Sequence, residues 1–220
     1  NSSGSPLAVG AASPKSQISV RLWSFAPDTI IDAGFFQERI GAALARRGVA
    51  ASADCARRLV HGESDQLPGL IVDQYGEFLV CQFLAAGVER WREEIVAALV
   101  LHCAPKGIWE RSDVDVRQKE GLEPRMGLLW GEEPPEHVAV QVTGLRFAAD
   151  VRAGHKTGLY LDQAENLAVI SAFSHGREVL NGFAYTGAFV MAALRGGATK
   201  VTSIESSQAA VDQMDRHLQI

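Results

Sequence analysis

Long hydrophobic runs are missing from these 220 residues: no apolar stretch nears the roughly 18 residues that cross a bilayer, so no membrane partner is expected. Cysteine is scarce. Cys55, Cys81 and Cys103 stand far apart with no C-x-x-C spacing, which argues against a zinc site. Cys81 lies in an apolar alternation and reads as a small buried hydrophobe, and Cys103 follows His102 without an orienting acid. An excess of positive charge is also lacking. The net charge is −5, with 15 basic and 20 acidic side chains in residues 1–150 and 6 of each in 151–220, so any phosphate-binding patch has to be local. The densest basic group, Arg111, Arg117, Lys119 and Arg125, is interleaved with Glu110, Asp113, Asp115, Glu120 and Glu123 and reads as a solvated, self-compensated loop. Residues 1–16 carry one lysine among Ser, Gly, Ala and Pro; they lack the charged and apolar regions of a signal peptide and read as a disordered lead-in. Internal repeats are absent.

What is present suits a soluble, cytoplasmic protein. With 47% hydrophobic side chains the chain can bury a core, in one large or two small domains. Asp32 can cap a helix whose Phe36, Ile40 and Leu44 share one side, ending at Gly48. Residues 69–73 and 77–83 read as strands of a hairpin around Gln74-Tyr75-Gly76. Val88, Trp91, Ile95 and Leu99 stripe the next helix, and strands follow at 107–110, 128–130, 138–142 and 145–149. This pattern predicts a mixed sheet with helices on one side, a scaffold with boundaries near residues 27 and 143.

The segment Val179-Leu180-Asn181-Gly182-Phe183-Ala184-Tyr185-Thr186-Gly187-Ala188-Phe189 reads as a strand buried on both faces, a tight turn and a helix. Gly196-Gly197 ends that helix, and a second strand runs into Glu205. The carboxylate arrives 24 residues after Asn181, near the spacing of about 20 at which an acid meets ribose hydroxyls in adenosine-cofactor folds. Gly187 is expected where the backbone passes close to a ligand, and the helix start beyond it offers free N–H groups. Tyr185 and Ala188 stand where G-x-G-x-x-G would carry glycine, which counts against a nicotinamide cofactor. Upstream, a glycine-punctuated loop from Asp150 turns into a helix at Asp162, the expected cap, with Ala168, Val169, Ala172 and Phe173 as its apolar side. His61 reads as a hydrogen-bonded structural histidine rather than as a metal ligand.

Taken together, His155-Lys156-Thr157-Gly158-Leu159-Tyr160-Leu161-Asp162-Gln163, the 179–189 segment, the 58–73 run through Gly62-Glu63-Ser64-Asp65-Gln66, Glu110-Arg111-Ser112-Asp113 and Gly131-Glu132-Glu133-Pro134-Pro135 resemble the bacterial class I S-adenosylmethionine-dependent ribosomal RNA methyltransferases. The nearest group is the cytosine-5 type acting on the large-subunit (23S) RNA. The resemblance runs from about Ile18 onward.

It implies an α/β chain: a remnant of an N-terminal PUA domain at 17–27, an α+β central domain at 28–143, and the first part of a Rossmann-like methyltransferase domain at 144–220. Both ends would be truncated. It further implies S-adenosylmethionine as cofactor, ribosomal RNA as partner and, as an option, a homodimer. Lys156, Thr157, Gln163, Asn181, Phe183, Tyr185, Thr186, Gly187, Ala188, Glu205 and Ser206 would surround the cofactor, with Glu205 on the ribose and Lys156 and Gln163 near its carboxylate. In this family the nucleophile is a cysteine in a later proline-cysteine loop, which this sequence does not contain. Ala164, Leu167, Gly182, Ala188 and Glu205 depart from the usual residues of the pattern. A noncatalytic scaffold that no longer binds cofactor is the alternative.

Overall fold

The computed structural model describes residues 3–50 and 52–219. It opens with two antiparallel strands, β1 (Val9–Ala12) and β2 (Val20–Ser24). The first falls inside the stretch expected to be disordered, which corrects that expectation for these residues. Small side chains here serve close approach: a Cβ on Gly10 would lie 2.5 Å from the Arg21 carbonyl oxygen, and Ser13 donates to Glu120 Oε2 at 2.8 Å. Residues 1 and 2 lie outside the described residues.

Asp32 accepts the Phe35 amide at 2.9 Å and opens α1 (Ala33–Arg47), which ends as Gly48 takes a positive φ. A five-stranded sheet follows in the order β3 (Ala56–His61), β4 (Leu70–Tyr75), β5 (Phe78–Phe83), β6 (Gly107–Ser112) and β7 (Arg125–Gly131). The β4–β5 hairpin turns at Gly76-Glu77, two residues later than the sequence suggested. Strands β5 and β6 are parallel, so the chain crosses between them through α2 (Ala86–Arg90) and α3 (Arg92–Cys103), which are separated by a break at Trp91. Phe36 and Ile40 of α1 and Ile95 and Leu99 of α3 pack on one face of the sheet against Val72, Cys81 and Ile108.

The other face is buried too. Tyr75 and Val80 pack against the hairpin β8 (Val138–Val142) and β9 (Leu145–Ala149), whose Val140 and Phe147 reach down to Leu167 and Ala192 of the C-terminal part. Two arginines expected in a solvated loop are buried. Arg117, in the short α4 (Val116–Lys119), donates to the Glu123 carbonyl at 2.8 Å and to Glu89 Oε2 at 2.8 Å; Arg111 donates to Asp113 at 3.0 Å. Their charge is spent on internal acceptors.

The C-terminal part holds α5 (Ala164–Phe173), β10 (Glu178–Gly182), α6 (Ala188–Arg195), β11 (Lys200–Ile204) and α7 (Gln208–His217). Strands β10 and β11 are parallel, so the chain crosses between them through α6. Three expectations are corrected here. Leu180 is 70% exposed, so β10 is covered on one face only. On α5 the buried residue is Leu167, while Val169 and Phe173 are exposed. Asp162 does not cap this helix; it lies in a preceding 3-10 turn and accepts from the Gln163 side chain at 3.1 Å. The helix is turned by its packing on α6, which selects Leu167 and Ile170 over the more numerous apolar residues opposite.

Candidate functional site

The turn from β10 into α6 alternates through left-handed backbone at Phe183 (φ 56°), Tyr185 (φ 48°) and Gly187 (φ 80°). Each non-glycine residue held there costs about 1–2 kcal/mol. The turn is held by the Ala184 amide on the Ile204 carbonyl at 3.0 Å, the Gly187 amide on the Ala184 carbonyl at 3.0 Å, and one carboxylate. Glu205 Oε2 accepts the Tyr185 amide at 2.7 Å, while its Oε1 accepts the Ser206 amide at 2.8 Å and the Ser207 amide at 2.9 Å. These amides, Ser207 and Tyr185 foremost, hold the Glu205 carboxyl below the usual carboxylate range.

Above the turn, the 154–160 loop folds over Tyr185. The His155 amide donates to Tyr185 Oη at 3.3 Å, and the rings of His155 and Tyr160 meet the Tyr185 ring edge-on at 5.4 and 5.2 Å. Burial pushes the Tyr185 phenol up. Lys156 places its ammonium 4.4 Å from the centre of the Tyr160 ring.

Two cavities open on either side of this aromatic cluster. One, of about 330 Å³, is walled by Phe147, Leu159, Leu161, Leu167, Phe183, Ala188 and Phe189, with Gln163, Tyr185, Thr186 and Glu205 as its polar lining. The other, of about 450 Å³, runs from Asp150 and Gly154 past Tyr185, Thr186 and Glu205 to Ser207, Gln213 and His217. His155, Leu159, Tyr185, Thr186 and Glu205 border both, making one cleft of the size that takes a nucleoside-sized ligand. His217 is buried and anchors the second wall. Its Nδ1 donates to the Thr186 carbonyl at 2.8 Å, and its Nε2 lies 3.0 Å from Gln213 Nε2 and 3.2 Å from the Ala148 carbonyl oxygen.

Of the residues singled out from sequence, Gln163, Phe183, Tyr185, Thr186, Ala188 and Glu205 therefore meet at the cleft. Five do not line it. Thr157 is fully buried beneath the loop, and Lys156 lies on Tyr160 at its edge. Asn181 sits within β10 with its amide nitrogen buried and unpartnered, and Ser206 meets Glu205 through its backbone. Gly187 has a packing reason besides the one expected: a Cβ there would lie 2.4 Å from Met214 Cγ on α7. Sequence reasoning missed Phe147, Leu159, Gln213 and His217. The alternation of β9 marks Phe147 as inward-facing, but nothing local marks which wall it joins.

Among the described residues no helix is long and apolar enough to cross a membrane, and no group of three or more His, Cys, Asp or Glu side chains converges on a metal position.

A parallel strand–turn–helix–strand unit, closed by an acid at the second strand's end and roofed by an aromatic loop, belongs to an α/β fold of the methyltransferase kind. The chain belongs to the S-adenosylmethionine-dependent methyltransferase family, whose model matches residues 57–218. Within it, the chain is 46% identical over 212 residues to Ribosomal RNA large subunit methyltransferase I of Photobacterium profundum, covering 95% of this chain and 53% of the relative. It is 45% identical over 221 residues to the protein of the same name from Pseudoalteromonas translucida, covering 100% and 56%. The chain thus spans about half the length of these relatives. Among solved structures it is similar to SMU.776, described as a methyltransferase and complexed with SAH, with a TM-score of 0.83 and 26% identity over 97% of this chain and 55% of that one.

Proposed function

We propose that the cleft binds S-adenosylmethionine and that the protein carrying this chain methylates large-subunit ribosomal RNA. The observation that carries this reading is the state of Glu205. Its Oε1 is filled by two amides, but Oε2 accepts only one, leaving acceptor capacity beside the cleft for a ribose hydroxyl. Gly187 contributes no capping side chain to α6, so the amides of the first helical turn remain for an anionic group such as the cofactor's carboxylate. The apolar walls around Leu159, Leu161 and Phe189 exclude water from the bound molecule. When bound, the cofactor supplies an electrophilic methyl group; the chain's own residues bind and orient it.

RNA as acceptor is supported by the names of the curated relatives, and cytosine C5 by the motif resemblance. Cys55 and Cys81 are buried, burial holds the Cys81 and Cys103 thiols above their usual range, and none of the three lines the cleft. A thiolate nucleophile is thus not supplied by these residues, and this chain alone is expected to bind cofactor without turnover.

Calorimetric titration of S-adenosylmethionine and S-adenosylhomocysteine into the chain tests the reading, with Glu205→Ala and NAD as controls. Saturable binding that is lost in Glu205→Ala and absent for NAD is the expected result. No binding by a folded sample overturns it in favour of a noncatalytic scaffold.

A further inference from the structure

The loop that roofs the cleft is fastened from outside it. Thr157 is fully buried, and its hydroxyl lies 2.6 Å from Asp73 Oδ2 on β4. Tyr75 Oη, two residues along the same strand, lies 3.1 Å from Thr157 Oγ1 and accepts the Leu159 amide at 3.0 Å. Asp73 is also fully buried and is gripped by Arg58, with Nε 2.8 Å from Oδ1 and a terminal nitrogen 2.9 Å from Oδ2.

Chemistry settles every donor in this series. A carboxylate paired with arginine only accepts, so the Thr157 hydroxyl points to Asp73. The Thr157 oxygen is then the acceptor for the Tyr75 hydroxyl, and the Tyr75 oxygen is the acceptor for the Leu159 N–H. All the dipoles run one way, from the roof loop to a buried charge, an arrangement in which each bond strengthens the next. Burial raises the Tyr75 phenol well above its ordinary range, so it stays protonated and able to donate. The loop needs such a fastening. Lys156 is held at φ 55° and Gly158 at φ 138°, where a Cβ would lie in van der Waals contact with the Tyr75 ring.

We propose that Tyr75 and Thr157 are positioning residues for cofactor binding: anchored on Asp73 and Arg58 of the five-stranded sheet, they hold Leu159, and with it His155 and Tyr160, against Tyr185. The cleft's affinity is thereby set partly from a sheet that does not line it. The inference rests on the proposed cofactor reading for its functional half, while the fastening of the loop stands apart from it.

The test measures hydrogen exchange at the Leu159 amide and S-adenosylhomocysteine affinity in the wild-type chain, Thr157→Val, Thr157→Ser and Tyr75→Phe. The valine and phenylalanine variants are close to isosteric, and each removes one hydroxyl; both should speed Leu159 exchange and weaken binding about tenfold each. Thr157→Ser restores the hydroxyl and should return both readings to near wild type, a rescue that lost packing alone would not give. Wild-type exchange in Thr157→Val, or faster exchange with unchanged affinity, overturns the proposal. If one variant fails to fold, the other, compared with Thr157→Ser, decides by the same criteria. A wild-type chain that binds no S-adenosylhomocysteine defeats the cofactor reading, and with it the affinity half of the inference; Leu159 exchange then decides the fastening alone.

Discussion

At Glu205, one methylene more than aspartate lets the carboxylate reach back 20 residues to the Tyr185 amide while still accepting from Ser206 and Ser207. The side chain read as a ribose acceptor is therefore also what holds the left-handed turn in place without a ligand. Preorganisation of this kind lowers the ordering cost that binding would otherwise carry. Glu205→Gln separates the two roles from simple charge loss, because an amide presents a donor on one side. Either the Tyr185 amide or the Ser206 and Ser207 pair then loses its acceptor. We expect S-adenosylhomocysteine affinity to fall roughly tenfold, read by calorimetry, together with faster exchange of the Tyr185 amide. Unchanged exchange at Tyr185 would remove the turn-holding role.

The βαβ unit of β10, α6 and β11 gains its precision from α7 packed beneath the turn. Gly187 is the point of contact, and its φ of 80° and the 2.4 Å separation of a Cβ there from Met214 both penalise a side chain. Gly187→Ala should destabilise the protein by about 2 kcal/mol, from left-handed strain and overpacking together, seen as a lower urea midpoint at unchanged slope. A stability loss under 0.5 kcal/mol or so, the size of an ordinary surface change, would show that α7 yields freely. The neighbouring α5 shows how little an element's own composition says about its orientation. Its apolar residues are spread so widely that a moment is nearly absent, and contact with α6 decides that Leu167 goes in and Phe173 stays out.

Across the whole molecule, the distant parts of the chain are tied by carboxylates inside arginine clusters. Asp65 accepts from Arg46 at 2.7 Å, from Arg47 and from the His61 amide; Glu89 accepts from Arg92 at 3.0 Å and Arg117 at 2.8 Å; Glu120 joins Arg21 at 3.1 Å and Ser13 at 2.8 Å. Burial works to raise all three, and the hydrogen bonds from the arginines, Ser13 and Ser16 more than offset it, so each carboxyl lies below its ordinary value. Such groups bind fewer protons folded than unfolded. Their stabilisation is complete above the unfolded carboxylate range of about 4 and is lost as pH falls through the lower folded values. The urea midpoint should hold steady between about pH 6 and 8 and drop below about pH 4; replacing Asp65 with Asn should flatten part of that drop. Leu180 and Ile204 meanwhile leave apolar side chains of β10 and β11 open to solvent, with Phe183 exposed in the turn beyond. This is the region where self-association would begin.

Sequence alone determined the elements whose signals are local: the Asp32-capped helix to Gly48, the β4–β5 and β8–β9 hairpins, and the strand–turn–helix–strand unit ending at Glu205. Capping, alternation and turn residues act within a few positions, and those forces are written next to each other in the chain. What only the tertiary structure decided is which partner each side chain meets. Thr157 read as a cofactor contact and is bonded to Asp73, 84 residues away; Ser13 read as part of a loose tail and is bonded to Glu120, 107 residues away. Arg117 read as solvated and is buried, and Gly187, read as making room for a ligand, also makes room for Met214. Burial and hydrogen bonding are properties of pairs, and a pair separated by dozens of residues leaves no periodicity in either member's neighbourhood.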